Sequence, residues 1–375
     1  MANDKLFSAD SHVSEPLDLW VERLDQRFRD RAPHMEELQE DGQKKEFWVF
    51  EGFPPHRLGV GIAAASLTGD RNEFENRRGS YANARPGGWD PAERLKDQDV
   101  DGLDGEVLYT TLGFRLFWLA DADLQRACFR AYNDWIAEYS SHDPRRLVGL
   151  ALISLTDVGL AVEEMTRCAK LGLKGAVIWN SAPDERPYTS PEYDPFWAAA
   201  QELNAPVSLH SLTGHHESRS PMNWYLHNVV MHHEIERTLS DFILSGVLER
   251  FPRLKIVSVE NQGGWIPYFL LRLDRAATTG RWSFPTRLTM TPTEYFRRQI
   301  FATYIDDPIS IHDLDLIGAD NLMWSSDYPH HQSTWPRSQE IVRRDFDGCA
   351  PELRRKVVRD NVLKLYDLAG VLEAV

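Results

Sequence analysis

The chain has 375 residues, of which 42% are hydrophobic and 26% charged, proportions that are ordinary for a soluble enzyme. Its 42 basic and 57 acidic residues give a formal net charge of −15, which argues against nucleic acid or an anionic membrane as a partner because phosphate groups attract basic surfaces. The three cysteines are too few and too widely spaced for a disulfide framework or a zinc ribbon. Because neither a signal peptide nor a run of about 18 apolar residues is recognisable, we expect a cytoplasmic protein.

Eight short apolar segments predict buried β-strands, and helical patterns follow most of them. Short runs without alternation are typical of strands covered on both faces, as in a parallel sheet. Strand and helix alternating in this way predict a (β/α)₈ TIM barrel, distorted by one long insertion, rather than an open sheet. The predicted strands are Leu6–Asp10, Gly105–Thr110, Leu147–Ile153, Gly175–Trp179, Pro206–His210, Lys255–Glu260, Ile300–Ile305 and Asn321–Ser326.

The helical patterns are clearest between the later strands. Asp157 and Asp194 are predicted to cap the amino ends of two of these helices, because aspartate side chains accept hydrogen bonds from free backbone amides there. The predicted helices are Leu124–Ser141, Val158–Leu171, Pro195–Leu203, Val229–Glu249 and Trp265–Ala277, with Pro351–Leu368 as a closing helix.

An insertion separates the first two predicted strands. Residues 21–95 are far more than one helix and two turns require. Within them Glu46–Phe50 reads as one strand of a small hairpin, and the stretch Gly69–Gly88 is rich in glycine, arginine and asparagine. We therefore predict a single barrel domain over residues 1–375, with 21–95 as a lid or a dimer arm above the carboxyl ends of the strands. Four arginines in the insertion could meet a carboxylate or phosphate: Arg71, Arg77, Arg78 and Arg85.

Ionisable side chains stand at the ends of three predicted strands. Asp10 and His12 are two residues apart on the first strand, so both side chains point to the same side and can reach one ion. His210 ends the fifth strand and Asp327 ends the eighth. The carboxyl ends of barrel strands meet at one mouth, where the active sites of such barrels lie. Histidine and aspartate are usual ligands of catalytic divalent metals, so the pattern predicts a metal site there.

Five motifs give the chain a family resemblance. It resembles the amidohydrolase superfamily, and within it the amidohydrolase-related branch that includes aminocarboxymuconate-semialdehyde decarboxylase and γ-resorcylate decarboxylase. The resemblance implies a metal held by Asp10, His12, His210 and Asp327, with Asp327 and His210 as catalytic residues and Asp327 handling a proton. The motifs are Asp10-Ser11-His12-Val13-Ser14-Glu15-Pro16, Ser208-Leu209-His210, Phe251-Pro252-Arg253-Leu254-Lys255, Gly263-Gly264-Trp265-Ile266-Pro267-Tyr268 and Ser325-Ser326-Asp327-Tyr328-Pro329-His330.

The chain departs from that pattern at two places. Asp10 stands where the family often has a histidine, although a carboxylate also occurs there in the decarboxylase branch. After the sixth strand the decarboxylases carry a histidine just before the glycines, and here Asn261 takes its place, with Glu260 beside it. A decarboxylase that uses this histidine as its proton donor would be compromised. Glu260 is either a structural carboxylate, paired with an arginine or capping the next helix, or a further metal ligand.

Three functions stay open at this point. The favoured one is a metal-dependent hydrolase acting on an apolar, aromatic or polycyclic small molecule through a metal-bound hydroxide, since a metal lowers the pKa of its bound water from 15.7 to roughly 7. The alternatives are a dinuclear iron oxygenase, favoured by a carboxylate-rich ligand set that includes Glu260, and a non-oxidative decarboxylase. The expected cofactor is one or two divalent ions per chain, zinc, iron or manganese.

Further ionisable residues near the predicted mouth are candidates for contacting the substrate or supporting the ligands. A small molecule is the only partner that we expect besides further copies of the chain, in a homodimer or a higher homo-oligomer. The candidate residues are Glu15, His215, His216, His233 and His330.

Overall fold

A computed structural model of the protein describes residues 5–40, 42–57, 81–215, 229–280 and 288–368. Parallel strands at eight positions form its centre. All eight predicted strands are present, and the (β/α)₈ TIM barrel is confirmed. The third position is split into two strands, so twelve strands are numbered in chain order, including a separate hairpin sheet. They are β1 Leu6–His12, β2 His34–Glu40, β3 Gln43–Val49, β4 His56–Arg57, β5 Leu103–Tyr109, β6 Leu147–Gly149, β7 Ala151–Leu152, β8 Ala176–Ile178, β9 Val207–His210, β10 Ile256–Val259, β11 Ile300–Tyr304 and β12 Leu322–Trp324.

Backbone pairing runs around the barrel in chain order. One sheet has the order β1-β5-β6 and the other the order β12-β11-β10-β9-β8-β7, and all of these pairs are parallel. The chain passes from β6 to β7 through Leu150, which joins the two sheets. The segment after β12 returns to β1, because the Asp327 amide donates to the Asp10 carbonyl (2.9 Å) and the His12 amide donates to the Tyr328 carbonyl (2.6 Å). These last two bonds bring Asp10, His12 and Asp327 together.

Fifteen α-helices among the described residues surround the strands, and four of the six predicted helices appear within a few residues of their expected bounds. The predicted closing helix Pro351–Leu368 is interrupted by a π-helical stretch at Lys356–Asp360. Short 3₁₀ segments include Leu112–Trp118 after β5. Within the described residues no helix has the length and hydropathy that crossing a bilayer requires. The helices are Leu19–Arg23, Gln26–Arg29, Pro91–Asp101, Ala122–Ser140, Val158–Lys170, Asp194–Glu202, His232–Leu244, Val247–Arg250, Ile266–Gly280, Pro292–Gln299, Pro308–His312, Leu314–Ile317, Ser338–Asp345, Pro351–Arg355 and Asn361–Leu365.

Two other details of the helix prediction are wrong. The single helix predicted over Val229–Glu249 is in fact two helices, His232–Leu244 and Val247–Arg250. They are separate because Gly246, between them, adopts a left-handed conformation (φ 79°). Asp194 is the first residue of its helix rather than its cap, and its Oδ1 instead accepts a hydrogen bond from Arg250 (2.8 Å). Asp157 does cap its helix, accepting from the Leu160 amide (3.0 Å).

The insertion forms a small antiparallel sheet beside the barrel. β2 pairs with β3 from His34↔Val49 to Glu40↔Gln43, and β4 adds to the β3 edge. Trp48 of β3 packs edge-on against Trp20 after β1. Further along, Tyr81 donates to the Glu15 carbonyl (2.8 Å), which places this part of the insertion beside the carboxyl end of β1. The role of residues 21–95 as a lid or dimer arm, and the single domain, stay predictions.

Candidate metal centre

Four side chains from three barrel positions meet at one buried point. Asp10 and His12 come from β1, His210 from the end of β9, and Asp327 from the turn after β12. His12 Nε2 lies 3.5 Å from Asp10 Oδ1 and 3.4 Å from Asp327 Oδ1, and His210 Nε2 lies 3.7 Å from Asp10 Oδ1. All four residues are buried. The sequence prediction named these four residues, and the structure brings them together.

Hydrogen bonding within the described part of the chain leaves five buried atoms of this cluster without a partner. They are both carboxylate oxygens of Asp10, Nε2 of His12, Nε2 of His210 and Oδ1 of Asp327. A buried polar atom without a partner costs roughly 1–3 kcal/mol, and more if it is charged. Five such atoms facing one another would be expensive, whereas a divalent cation would satisfy all of them together.

The two histidines of the cluster are oriented by backbone carbonyls. His12 Nδ1 lies 2.7 Å from the Thr110 carbonyl, and His210 Nδ1 lies 2.8 Å from the Ser211 carbonyl. Because a carbonyl oxygen can only accept, each Nδ1 must carry the proton. In the neutral ring, each Nε2 therefore directs a lone pair toward the carboxylates. This arrangement, in which one ring nitrogen is fixed by an outer partner, is typical of histidines that bind metals.

The electrostatics of the cluster depend on its burial. Burial lowers the pKa of His12 well below its usual value, and the neighbouring His330 and His210 lower it further. Burial raises the pKa of Asp327 well above its usual value, with a further rise from the Asp10 carboxylate. Burial also lowers the pKa of His210, but the Asp10 and Glu260 carboxylates outweigh it and the net pKa is raised. Negative charge collected in a buried place is what a cation site requires.

Glu260 reaches the cluster from the end of β10. Its Oε2 lies 3.5 Å from His210 Nε2 and accepts a hydrogen bond from Ser211 Oγ (3.1 Å). Burial, followed by the nearby Asp327 charge, raises the pKa of Glu260 to about 7. Its backbone is in the left-handed region (φ 57°), which is unfavourable for residues other than glycine and tends to occur at functional sites. Its role as a metal ligand stays a prediction.

His330 also joins this cluster. Its Nδ1 lies 3.0 Å from Asp327 Oδ1, and its ring stacks on the His12 ring at 3.9 Å between centroids. Asp327 is again left-handed (φ 56°), and the His330 amide donates to the Asp327 carbonyl (2.9 Å), which closes a tight turn. His12, Asp327 and His330 each offer an atom within 4.8 Å of the other two, so they form a second group that could hold a cation.

The remaining predicted candidates lie away from the ligand atoms or outside the described residues. The His215 ring contacts the rings of Trp118 and Trp179, at 5.1 and 5.0 Å between centroids. His233 is exposed on the helix His232–Leu244, where its ring contacts His232. Arg85 is ion-paired with Asp97 (2.5 Å). His216, Arg71, Arg77 and Arg78 fall outside the described residues.

Two features of the site had no clear signal in the sequence. Phe114 packs its ring against His210 (4.3 Å between centroids) and near His12 (5.7 Å), and so forms an aromatic wall beside the ligands. The Glu15 carboxylate accepts from the amides of Thr111 (3.2 Å), Leu112 (3.0 Å) and Gly113 (3.1 Å), and from the Thr110 hydroxyl. It therefore fixes the start of the Leu112–Trp118 segment that carries Phe114. Only its place in the first motif pointed to Glu15.

The donor set fits a divalent metal. Imidazole nitrogens suit zinc and iron, and carboxylates suit manganese and magnesium. The fit rests on the buried atoms without partners and on the orientation of the His12 and His210 rings. The residues that would hold the ion are Asp10, His12, His210 and Asp327.

Comparison with known proteins yields one family match and several relatives. The family model described as amidohydrolase matches residues 11–368. The chain is 26% identical over 277 residues to γ-resorcylate decarboxylase from Polaromonas sp., a match covering 67% of this chain and 79% of that protein. A solved amidohydrolase from Mycobacterium avium subsp. paratuberculosis is similar in fold, with a TM-score of 0.79 at 24% identity over 98% of this chain and all of that one. A dihydroxybenzoic acid decarboxylase from Polaromonas sp., solved with manganese and 2-nitroresorcinol, has a TM-score of 0.65 at 19% identity, covering 97% of each chain.

Proposed function

The chain belongs to the amidohydrolase family, and from that membership we propose that it is a divalent-metal-dependent, non-oxidative decarboxylase of an aromatic carboxylic acid. The sequence alone favours hydrolysis and leaves decarboxylation as an alternative. The observation that carries the change is the similarity to γ-resorcylate decarboxylase over two thirds of the chain. The buried carboxylate–histidine cluster supports the metal, and the aromatic wall beside it supports the substrate class.

Asp10, His12, His210 and Asp327 would hold the metal. When bound, it would supply a positive charge that anchors the substrate carboxylate and an adjacent hydroxyl and stabilises negative charge on the ring. Manganese is our first choice, since the ligand set is rich in carboxylates and the Polaromonas dihydroxybenzoic acid decarboxylase was solved with manganese. Zinc and iron remain compatible with the same residues.

Phe114, Trp118 and Trp179 would receive the aromatic ring. Phe114 is buried against His210, while Trp118 and Trp179 flank His215 further out. A flat apolar wall beside a polar cluster favours a planar molecule with an acid group at one end. The Glu15 carboxylate holds the segment that carries Phe114 and Trp118, so it would act as a positioning residue for that wall.

Decarboxylation also requires a proton. The bond between the ring carbon and the carboxyl carbon breaks, carbon dioxide leaves, and the electron pair left on the ring carbon takes up a proton, so no oxidant is needed. Asn261 cannot supply this proton, because an amide is not an acid at neutral pH and its Nδ2 donates back to the Val259 carbonyl (2.8 Å). Glu260 is the ionisable side chain that the end of β10 directs to the cluster. We assign the proton transfer to Glu260.

The experiment is a carbon dioxide assay on manganese-loaded protein with a panel of ortho-hydroxybenzoic acids, run with and without oxygen. Carbon dioxide and the matching phenol should form in equal amounts, and anaerobically at the same rate. His12→Ala protein, treated identically, is the matched control. Turnover of esters, lactones or amides without any carbon dioxide from the acids would favour the hydrolase instead, and strict dependence on oxygen would favour the oxygenase.

Hydrolysis remains the second candidate, and Asn261 is the observation that favours it. A decarboxylase that depends on an imidazole after the sixth strand would be inactive with asparagine there.

The variant Glu260→Gln distinguishes the two possible roles of Glu260, proton transfer and binding of a second ion. If Glu260 carries the proton, the variant should keep its metal and lose decarboxylation by about 100-fold, within the usual range for an acid–base group. If Glu260 binds a second ion, the variant should lose about one metal equivalent.

A further inference from the structure

His330 has both ring nitrogens next to protein oxygens, and these contacts determine which nitrogen carries its proton. Its Nε2 lies 3.2 Å from Thr111 Oγ1. The Thr111 hydroxyl is already committed, because it donates to the Val13 carbonyl (2.7 Å), which cannot donate in return. Thr111 Oγ1 therefore offers only a lone pair to His330. For that contact to be a hydrogen bond, His330 Nε2 must carry the proton.

With the proton on Nε2, the other nitrogen of a neutral His330 ring has only a lone pair. That nitrogen, Nδ1, lies 3.0 Å from Asp327 Oδ1, which is one of the buried atoms without a hydrogen-bond partner among the described residues. Two acceptors at this distance repel each other unless a positive charge lies beside both. His12 and His210 show the corresponding arrangement with the two nitrogens exchanged, since their Nδ1 donates to a backbone carbonyl and their Nε2 faces carboxylates.

The distances suit shared coordination. Two ligand atoms at about 2.1 Å from an ion are roughly 3.0 Å apart when they subtend a right angle and about 3.4 Å apart in a tetrahedron. The His330–Asp327 contact is 3.0 Å and the His12–Asp327 contact is 3.4 Å. The turn closed by the His330 amide on the Asp327 carbonyl brings both side chains to the same place. The His12 and His330 rings are stacked, and a nitrogen of each lies beside the same oxygen, Asp327 Oδ1.

We propose that His330 Nδ1 is a further metal ligand, sharing the ion with Asp327 Oδ1, so that the centre has three imidazole ligands and Thr111 sets the tautomer of the third. The inference rests on the proposed metal dependence but not on the identity of the reaction. It gives His330 a different role from the substrate contact that the sequence suggested. The competing arrangement is an imidazolium, in which Nδ1 carries a second proton and donates it to Asp327.

Metal binding measured on the full chain tests the proposal without any substrate. His330→Ala should bind manganese more than about 100-fold more weakly in calorimetric titrations, beyond the 10–100-fold typical of residues that only support a ligand, and the visible absorption of the cobalt-loaded variant should change as one nitrogen ligand is lost. His331→Asn is the matched control, because this neighbouring ring is exposed, and its affinity and spectrum should equal those of the wild type. Unchanged affinity and an unchanged cobalt spectrum in His330→Ala would overturn the proposal and leave the imidazolium.

A second variant covers the case in which His330→Ala folds poorly. Thr111→Val removes the acceptor for the Nε2 proton, so the ring could place its proton on Nδ1 instead. We expect manganese binding several-fold weaker than in the wild type, with circular dichroism unchanged. Equal affinity in folded Thr111→Val would count against the proposal. A wild type that binds manganese but releases no carbon dioxide from any acid would reject the proposed reaction while leaving the ligand assignment standing.

Discussion

Two buried carboxylates five residues apart, Asp10 and Glu15, are in opposite situations. The Glu15 pocket supplies four donors, the amides of Thr111, Leu112 and Gly113 and the Thr110 hydroxyl. Within the part of the chain that the structure describes, neither carboxylate oxygen of Asp10 has a hydrogen-bond partner, and Oδ1 lies 3.5 Å from His12 Nε2 and 3.7 Å from His210 Nε2. Both side chains are fully buried.

The difference shows how to separate a structural carboxylate from one that is placed for a ligand. Burial alone does not distinguish Asp10 from Glu15, and neither does sequence position. Their hydrogen-bond partners do distinguish the two residues, because a buried charge needs donors or an opposite charge beside it. For Glu15 the protein's own donors compensate the charge, whereas for Asp10 we propose that a bound ion does. Four changes test this contrast, from the largest expected effect to the smallest.

His210→Ala should have the largest effect, because it removes a ligand and leaves Asp10 with less compensation. We expect metal affinity to fall by more than about 100-fold, beyond the 10–100-fold typical of residues that only support a ligand, and activity to be lost. Metal analysis and circular dichroism of the purified variant check the prediction. His312→Ala, at a side chain that is 83% exposed, is the control. Full metal content in His210→Ala would remove this residue from the site.

Chelation should destabilise the wild type and leave His210→Ala nearly unaffected. A ligand that binds only the folded state stabilises it by about 2.7 kcal/mol at 100 times its dissociation constant. Denaturant or thermal unfolding with added manganese and with a chelator would measure the difference. An equal response of both proteins would mean that the stabilising ion binds elsewhere.

Glu15→Gln should destabilise the protein by about 2 kcal/mol, since the new amide group points a donor at backbone amides that are themselves donors. The isosteric change keeps the volume of the pocket, so no cavity term is added. Urea unfolding of manganese-loaded protein measures the loss, and metal content should remain that of the wild type. A loss of metal together with stability would show that Glu15 belongs to the cation site after all.

Asp10→Asn, the matched isosteric change at the other carboxylate, should act in the opposite direction on metal-free protein. Removing an uncompensated buried charge should raise the unfolding free energy by about 1 kcal/mol in the presence of chelator. The same variant should bind manganese much more weakly. Destabilisation of the metal-free variant would indicate that protein donors, rather than an ion, compensate Asp10.

The sequence by itself determined the barrel and the four candidate residues that the structure brings together. Short apolar runs ending in ionisable residues were enough to predict that these side chains meet, because in a closed barrel every strand has its carboxyl end at the same mouth. The Asp10–His12 spacing put two side chains on one face of β1, and the motifs after the fifth and eighth strands supplied His210 and Asp327. Each of these inferences uses local periodicity together with one rule of topology.

Only the tertiary structure decided which of the remaining ionisable residues join the centre. The sequence names His215, His233 and His330 alike as candidates, yet of these three only His330 lies within reach of Asp327, because a tight turn returns the chain to the site. The structure also assigned Glu15 to backbone amides of a segment that is nearly 100 residues away in the chain. Such contacts depend on the positions of loops after the strands have closed into a barrel. Local sequence patterns do not encode these distances, because they arise from packing between segments far apart in the chain.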